Sequence, residues 1–90
     1  MNVLGEIKTD EYLFTIEEND GDLFCHIDIF KWSSEIYKKM LLNLADIKES
    51  LSSPLWCNIL KGDKKEIKIA NMFGFALKYE TEQTYIMELV

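Results

Sequence analysis

The segment "DLFCHIDIFKWSSEIYKKMLLNLADIKESLSSPLWCNIL", Asp22 to Leu60, decides the fold of this ninety-residue chain. Its first part alternates. Leu23, Cys25, Ile27 and Ile29 fall on one side of a strand, and Phe24, His26, Asp28 and Phe30 on the other. Both sides carry large apolar groups, which puts this strand inside a sheet rather than at its rim. "KWSSE" then reads as a helix start. Ser33 or Ser34 can cap it, and Glu35 suits the positive end of the helix dipole. Tyr37, Met40, Leu41, Leu44, Ile47 and Leu51 recur at helical spacing, while Lys38, Lys39 and Lys48 fall mostly outside that stripe. The helix runs about five turns. It stops at Ser52-Ser53-Pro54, because proline cannot donate the next backbone bond. "LWCNIL" follows as a short buried strand. A strand, a helix and a strand in one sheet form a right-handed crossover, which makes the two strands parallel.

Upstream, "NVLGEI" is a candidate first strand, and "EYLFTIEEND" alternates up to Asn19-Asp20-Gly21. The pair Asp20-Gly21 is a strong hairpin signal. Downstream, "GDKKEIKIANMFGF", Gly62 to Phe75, reads as a second helix. Asp63 with Glu66 three residues later resembles a capping box. Ile67, Ala70 and Phe73 share a face, and Gly74 fits the left-handed position that closes a helix. "FALKYE" and "TYIMELV" flank Thr81-Glu82-Gln83 as a closing hairpin. In that last strand Tyr85, Met87 and Leu89 alternate with Ile86, Glu88 and Val90. The strand therefore has two apolar sides, or it forms an edge open to homodimerisation. The element order is β-β-(β)-α-β-α-β-β. It predicts an α/β chain of the α+β kind: a mixed, mostly antiparallel sheet with a central parallel strand pair and two helices. Residues 1–90 form a single domain.

Composition narrows the function. Apolar residues make up 48% of the chain and aromatics 12%, enough for a core. No apolar run is long enough to span a bilayer, and the first residues lack the basic flank and apolar run of a signal peptide. A soluble cytoplasmic protein with no membrane partner is expected. Net charge is −6, and all ten basic residues are lysine. Without arginine, the planar fork that grips phosphates and guanines is missing, so nucleic acid is a poor partner. Charge is also uneven: residues 6–22 hold seven acids and one lysine, and residues 61–68 four lysines and two acids. The acidic stretch, with Glu17, Glu18, Asp20 and Asp22, is a candidate face for a basic protein partner. Lys61, Lys64, Lys65 and Lys68 are the alternative, a small basic patch. Cys25 and Cys57 lie in apolar runs and read as small hydrophobes; with one histidine, they do not give zinc spacing, and no metal is expected. The aromatics Phe24, Phe30, Trp32, Tyr37, Trp56, Phe73 and Phe75 read chiefly as core. Trp32, in a loop before a capped helix, is also a candidate partner contact.

The element order, together with a helix ending in "FGF" and leading into a strand, resembles the GNAT superfamily of N-acyltransferases over residues 12–90. The resemblance implies that "HIDIF", "KWSSE" and the Tyr37–Leu51 helix occupy the place that grips the pyrophosphate of acetyl-CoA. "LWCNIL" would be the strand that splays away to admit the pantetheine arm. Cofactor-binding candidates are then Ile29, Phe30, Lys31, Trp32, Ser33, Ser34 and Asp63. Two departures stand out. The family's loop is rich in glycine, so that backbone N–H groups reach the phosphates; "FKWSSEIYKK" has none. Aligning Gly74-Phe75 with the family's Gly-Phe puts Ala70 where the family has a proton-donating tyrosine. Catalytic candidates outside that pattern are His26 and Asp28 as a base pair, and Tyr79 or Tyr85 as an acid.

These features give a leading expectation: a reduced GNAT-like domain that is not catalytic, needs no cofactor and works by binding a protein. Small viral proteins of this layout are similar in length, which implies a modulator or inhibitor of a host or defence protein, acting in the host cytoplasm. The alternative is an acetyl-CoA-dependent N-acetyltransferase with an atypical cofactor loop. An open space between "HIDIF" and "LWCNIL" would favour cofactor binding. A space filled by Trp32 or Trp56 would favour protein binding alone.

Overall fold

The computed structural model describes residues 2–89. Val90 lies outside them. The elements follow the expected order: β1 (Asn2–Lys8), β2 (Tyr12–Asn19), β3 (Asp22–Ile29), α1 (Ser34–Ser50), β4 (Leu55–Leu60), α2 (Lys64–Met72), β5 (Phe75–Glu80) and β6 (Thr84–Leu89). They build one six-stranded sheet of order β1-β2-β3-β4-β6-β5. All neighbours are antiparallel except β3 and β4, which run parallel on either side of the α1 crossover. The fold is thus α+β, with the parallel pair at its centre.

Local chemistry explains the turns. Asp20 and Gly21 both take positive φ, 51° and 86°, as a tight hairpin turn between β2 and β3 demands. Ser33 caps α1, its hydroxyl oxygen accepting the Ile36 N–H at 3.1 Å. Gly74 takes φ 91°, a left-handed backbone that glycine adopts without strain, as the chain leaves α2 and enters β5.

Both helices cover the same side of the sheet. Tyr12, Phe14 and Ile16 of β2 continue through Cys25, Leu55, Cys57, Ile59, Met87, Leu89 and Phe75 as one buried layer. Met40 and Leu44 of α1, Ala70 of α2 and its cap residue Phe73 close over it. Phe73 sits edge-on to Phe14 at 6.5 Å and 5.3 Å from the Tyr37 ring. Tyr12, buried among apolar groups, has its hydroxyl satisfied by the Asn43 side-chain amide. Phe14, Met40, Leu44 and Leu55 are the largest fully buried side chains, each stabilising the fold by roughly 1.5–3 kcal/mol.

Two sequence expectations need correction. The final strand β6 is not an edge: it lies between β4 and β5, so it offers no free ladder to a second copy. The edges are β1 and β5. Nor are all the aromatics core. Only Phe73 and Phe75 of that set are buried; Phe24, Tyr37 and Trp56 are half-buried, and Phe30 and Trp32 are exposed. The reason is that, among the described residues, no helix covers the second side of the sheet, where Phe24 and Trp56 point. Alternation along β3 therefore reflects a central strand, but not a strand buried on both sides.

Candidate functional site

The central strand pair does not stay paired. β3 and β4 are in register only at Leu23–Leu55 and Phe24–Trp56. β3 then remains on β2 through Ile29, and β4 remains on β6 through Leu60. Each strand follows its antiparallel partner, and a wedge opens between them. It holds about 260 Å³, lined by Cys25, His26 and Ile27 on one wall and Cys57, Asn58 and Ile59 on the other. α2 contributes Glu66 and Ala70, with its cap Asp63 at the mouth. Neither Trp32 nor Trp56 lines the wedge.

The polar chemistry gathers at this opening. His26 Nε2 lies 3.4 Å from Asp28 Oδ1, so the strand does bring these two together, on an exposed part of the sheet's uncovered side. Asp63 caps α2, its carboxylate oxygen accepting the Glu66 N–H at 3.1 Å. The reciprocal half of a capping box is missing. The Asp63 N–H donates instead to the Leu60 carbonyl at 3.0 Å. Glu66 is therefore released from capping and turns to the wedge. Partial burial raises its carboxyl above the ordinary value of 4.5, and the negative charges of Asp63 and Asp28 raise it further, against the opposing pull of His26 and Lys65. Cys25 and Cys57 are free thiols in the wedge's buried wall. Burial above all pushes both up to about 12, with a smaller contribution from Cys57 at the first and from Glu66 at the second. They are packing groups, not nucleophiles.

A second hollow of about 420 Å³ lies at the end of β3 and shares no lining residue with the wedge. Ile29, Phe30, Lys31 and Trp32 form one side, and Lys65, Lys68, Ile69 and Met72 of α2 form the other. The Trp32 ring leans on Tyr37 at 5.5 Å and is held in the loop by that contact. Ser33, committed to its cap, and Ser34, the first residue of α1, stand exposed beside it. The four-lysine patch of the sequence is divided by the helix. Lys65 and Lys68 enter this hollow, whereas Lys61 and Lys64 line another on the opposite flank of α2 with Glu80 and Tyr85. Lys61 is paired there with Glu80 at 2.7 Å. A continuous basic strip for nucleic acid is not formed.

The remaining candidates are scattered. Tyr85 points to the helix-covered side, its ring 5.4 Å from the Lys61 ammonium, and Tyr79 stacks 5.7 Å from Trp56 on the uncovered side. Neither lines the wedge. Ala70 does, buried and without a hydroxyl. Glu17, Glu18, Asp20 and Asp22 cluster at the β2–β3 hairpin. Trp32 lies past the other end of β3, an eight-residue strand of about 26 Å. The acidic face and Trp32 thus do not form one surface. Of the residues that line the wedge and the hollow, Glu66 and Asn58 carry no site role in the sequence reading, and Lys65 and Lys68 enter it only as half of the four-lysine patch. The one signal for Glu66 was its capping-box spacing, which pointed to the backbone instead of the wedge. Among the described residues no cluster of metal-ligating side chains occurs, and no helix is long and apolar enough to cross a membrane. No protein-family model, no curated protein and no solved structure matches this chain.

Proposed function

We propose that this chain is a reduced GNAT-like domain whose wedge binds an acyl-thioester ligand, with acetyl-CoA as its test case, without efficient acyl transfer. The observation that carries this is the parting of β3 and β4 after two register pairs, with no tryptophan filling the gap. Strand order, a single parallel pair and a positive-φ glycine ending α2 support the same reading. The wedge fits a slender arm. Its strand edges leave backbone N–H and C=O groups without a ladder partner, and such groups are obligatory hydrogen-bonders. An extended chain carrying amides would satisfy them as a missing strand does.

Transfer is another matter. When bound, an acyl thioester would supply an activated carbonyl. Glu66, with its raised pKa, could take a proton from an attacking amine beside the wedge, and His26 with Asp28 could assist at the mouth. No hydroxyl among the wedge-lining side chains returns a proton to the departing thiolate, because Ala70 stands where one would be useful. The arrangement suits binding better than turnover. Calorimetric titration with acetyl-CoA should give saturable heat and a raised melting temperature. A thiol-release assay with small amines should stay at background. Absence of both heat and thermal shift would sink the wedge reading, and rapid thiol release would restore the acetyltransferase.

The uncovered side of the sheet favours a second reading, a protein-binding modulator. Phe24, Trp56 and Ile86 lie there half-buried, and Leu60 and Tyr79 are exposed at 62% and 63%. Aromatic groups on an uncovered sheet face suit a protein contact. Retained partner binding after a failed acetyl-CoA titration would support it.

A further inference from the structure

We infer that the hollow at the end of β3 docks an acidic, apolar peptide segment of a protein partner, with a bulky side chain seated against Trp32 and neighbouring carboxylates on Lys31, Lys65 and Lys68. This inference uses none of the residues that line the wedge, so it stands apart from the wedge reading. The make-up of the hollow carries it. Three lysines and five apolar residues line the space, with no acid among them, although the chain holds sixteen acids. Among the described residues none of these three lysines pairs with a carboxylate, whereas Lys61 and Lys78 elsewhere do. Lys65 and Lys68 stand nearly one turn apart on the same flank of α2, with about 5–6 Å between Cβ atoms. Alternate side chains of an extended peptide lie roughly 6.6 Å apart, a close match for two carboxylates.

The apolar wall supplies the other half. Phe30 is 56% exposed, Trp32 49% and Met72 37%, and all three meet at this one hollow. Large apolar side chains scattered singly on a surface need no explanation; gathered and rimmed by charge, they mark a protein contact. The wall is also pre-formed. The Trp32 ring leans on Tyr37 at 5.5 Å, and the Tyr37 hydroxyl donates to the Met72 carbonyl, which ties the loop before α1 to the end of α2. A wall already in place lowers the ordering cost of binding. The charge of the partner follows from Trp32's company. Trp32 shares its surface with lysines and not with Glu17 or Asp20, so an acidic segment fits it and a basic one does not. A long polyanion such as nucleic acid is disfavoured, because the chain carries a net charge of −6 and no arginine, and Lys61 on the far flank is engaged by Glu80.

The test selects binders to the full chain from a random peptide display library and measures them by fluorescence anisotropy. Selected peptides should carry several acids beside a leucine, phenylalanine or tryptophan, and their affinity should fall as salt rises. Lys65→Gln with Lys68→Gln should weaken them about tenfold or more. Lys38→Gln with Lys39→Gln, exposed on α1 outside the hollow, should leave them unchanged. All four lysines are exposed, so both variants should keep the parent's melting curve. Trp32→Ala should weaken the selected peptides and leave the weaker binding of polyglutamate as it was. A library that yields no peptide, or only neutral or basic ones, would overturn the proposal. So would equal loss in both lysine pairs, or polyglutamate binding as tightly as the selected peptides. Single-stranded DNA that displaces the peptides at lower concentration than they bind would replace the protein partner with a nucleic acid.

Discussion

Glu66 occupies the third residue of α2, where a carboxylate is welcome for one reason and unwelcome for another. The helix dipole favours negative charge in the first turn. Partial burial against the wedge and the nearby Asp63 disfavour it, and they prevail, raising the carboxyl above 4.5. The consequence for stability has a definite sign. Well below 4.5 the group is protonated in folded and unfolded chains alike and contributes nothing. As pH rises past that value the unfolded chain releases its proton first, and stability falls until the folded carboxyl ionises as well. Glu66→Gln removes this loss. The melting temperature of the variant relative to the parent should therefore climb from about pH 4 to about pH 7. A difference that stays flat with pH would mean that the Glu66 carboxyl feels no such environment. The spacing Asp63-x-x-Glu66 was legible in the sequence, and the Asp63 cap it announced is present. The direction of the Glu66 side chain was not legible, because it depends on where the Asp63 N–H finds its acceptor. That acceptor is the Leu60 carbonyl.

At the scale of elements, α2 with its exit glycine sets the geometry of the site. Asp63, Glu66 and Ala70 look into the wedge, Lys65 and Lys68 into the hollow, and Phe73 into the core beside Phe14. The turn at Gly74 fixes this orientation by handing the chain to β5. A Cβ at Gly74 would approach Leu89 Cδ1 at 3.7 Å, an ordinary contact, so the obstacle is the positive φ and not crowding. Gly74→Ala should destabilise the fold by about 1 kcal/mol or more. For a domain of this size that lowers the melting temperature by roughly 4–8 °C. Gly74→Asn should cost less, because asparagine tolerates left-handed backbone. Thermal denaturation followed by circular dichroism checks the order Gly, Asn, Ala; an alanine variant as stable as the parent would refute the strain. Helix period, cap and glycine stop were all readable along the chain. How α2 divides the four lysines of residues 61–68 between its two flanks was less so, since both flanks carry lysine at helical spacing and only packing selects the buried stripe.

For the whole molecule, two-layer packing leaves a sheet whose middle is its weakest seam. β3 is tied to β2 over eight register pairs and to β4 over two. Hydrogen exchange should reflect this asymmetry. Amides of β3 and β4 that face the wedge beyond Phe24 and Trp56 should exchange well ahead of those in the β2–β3 and β4–β6 ladders, as groups without a partner do. Saturation with acetyl-CoA should slow those same amides if the wedge is the binding site. Uniform protection across β3 and β4 would instead mean that the seam is closed in solution. The sequence by itself determined the number, type and order of elements and the crossover. It did so because alternation, helical spacing, caps and turn residues are local and each is written within a few residues. Tertiary structure alone decided that β6 lies inside the sheet, that both helices cover one side, and that β3 and β4 part to leave a wedge. Those outcomes depend on which strands pair across distant parts of the chain. No local pattern records that choice, and a strand with apolar groups on both sides reads the same whether its second side is covered or open.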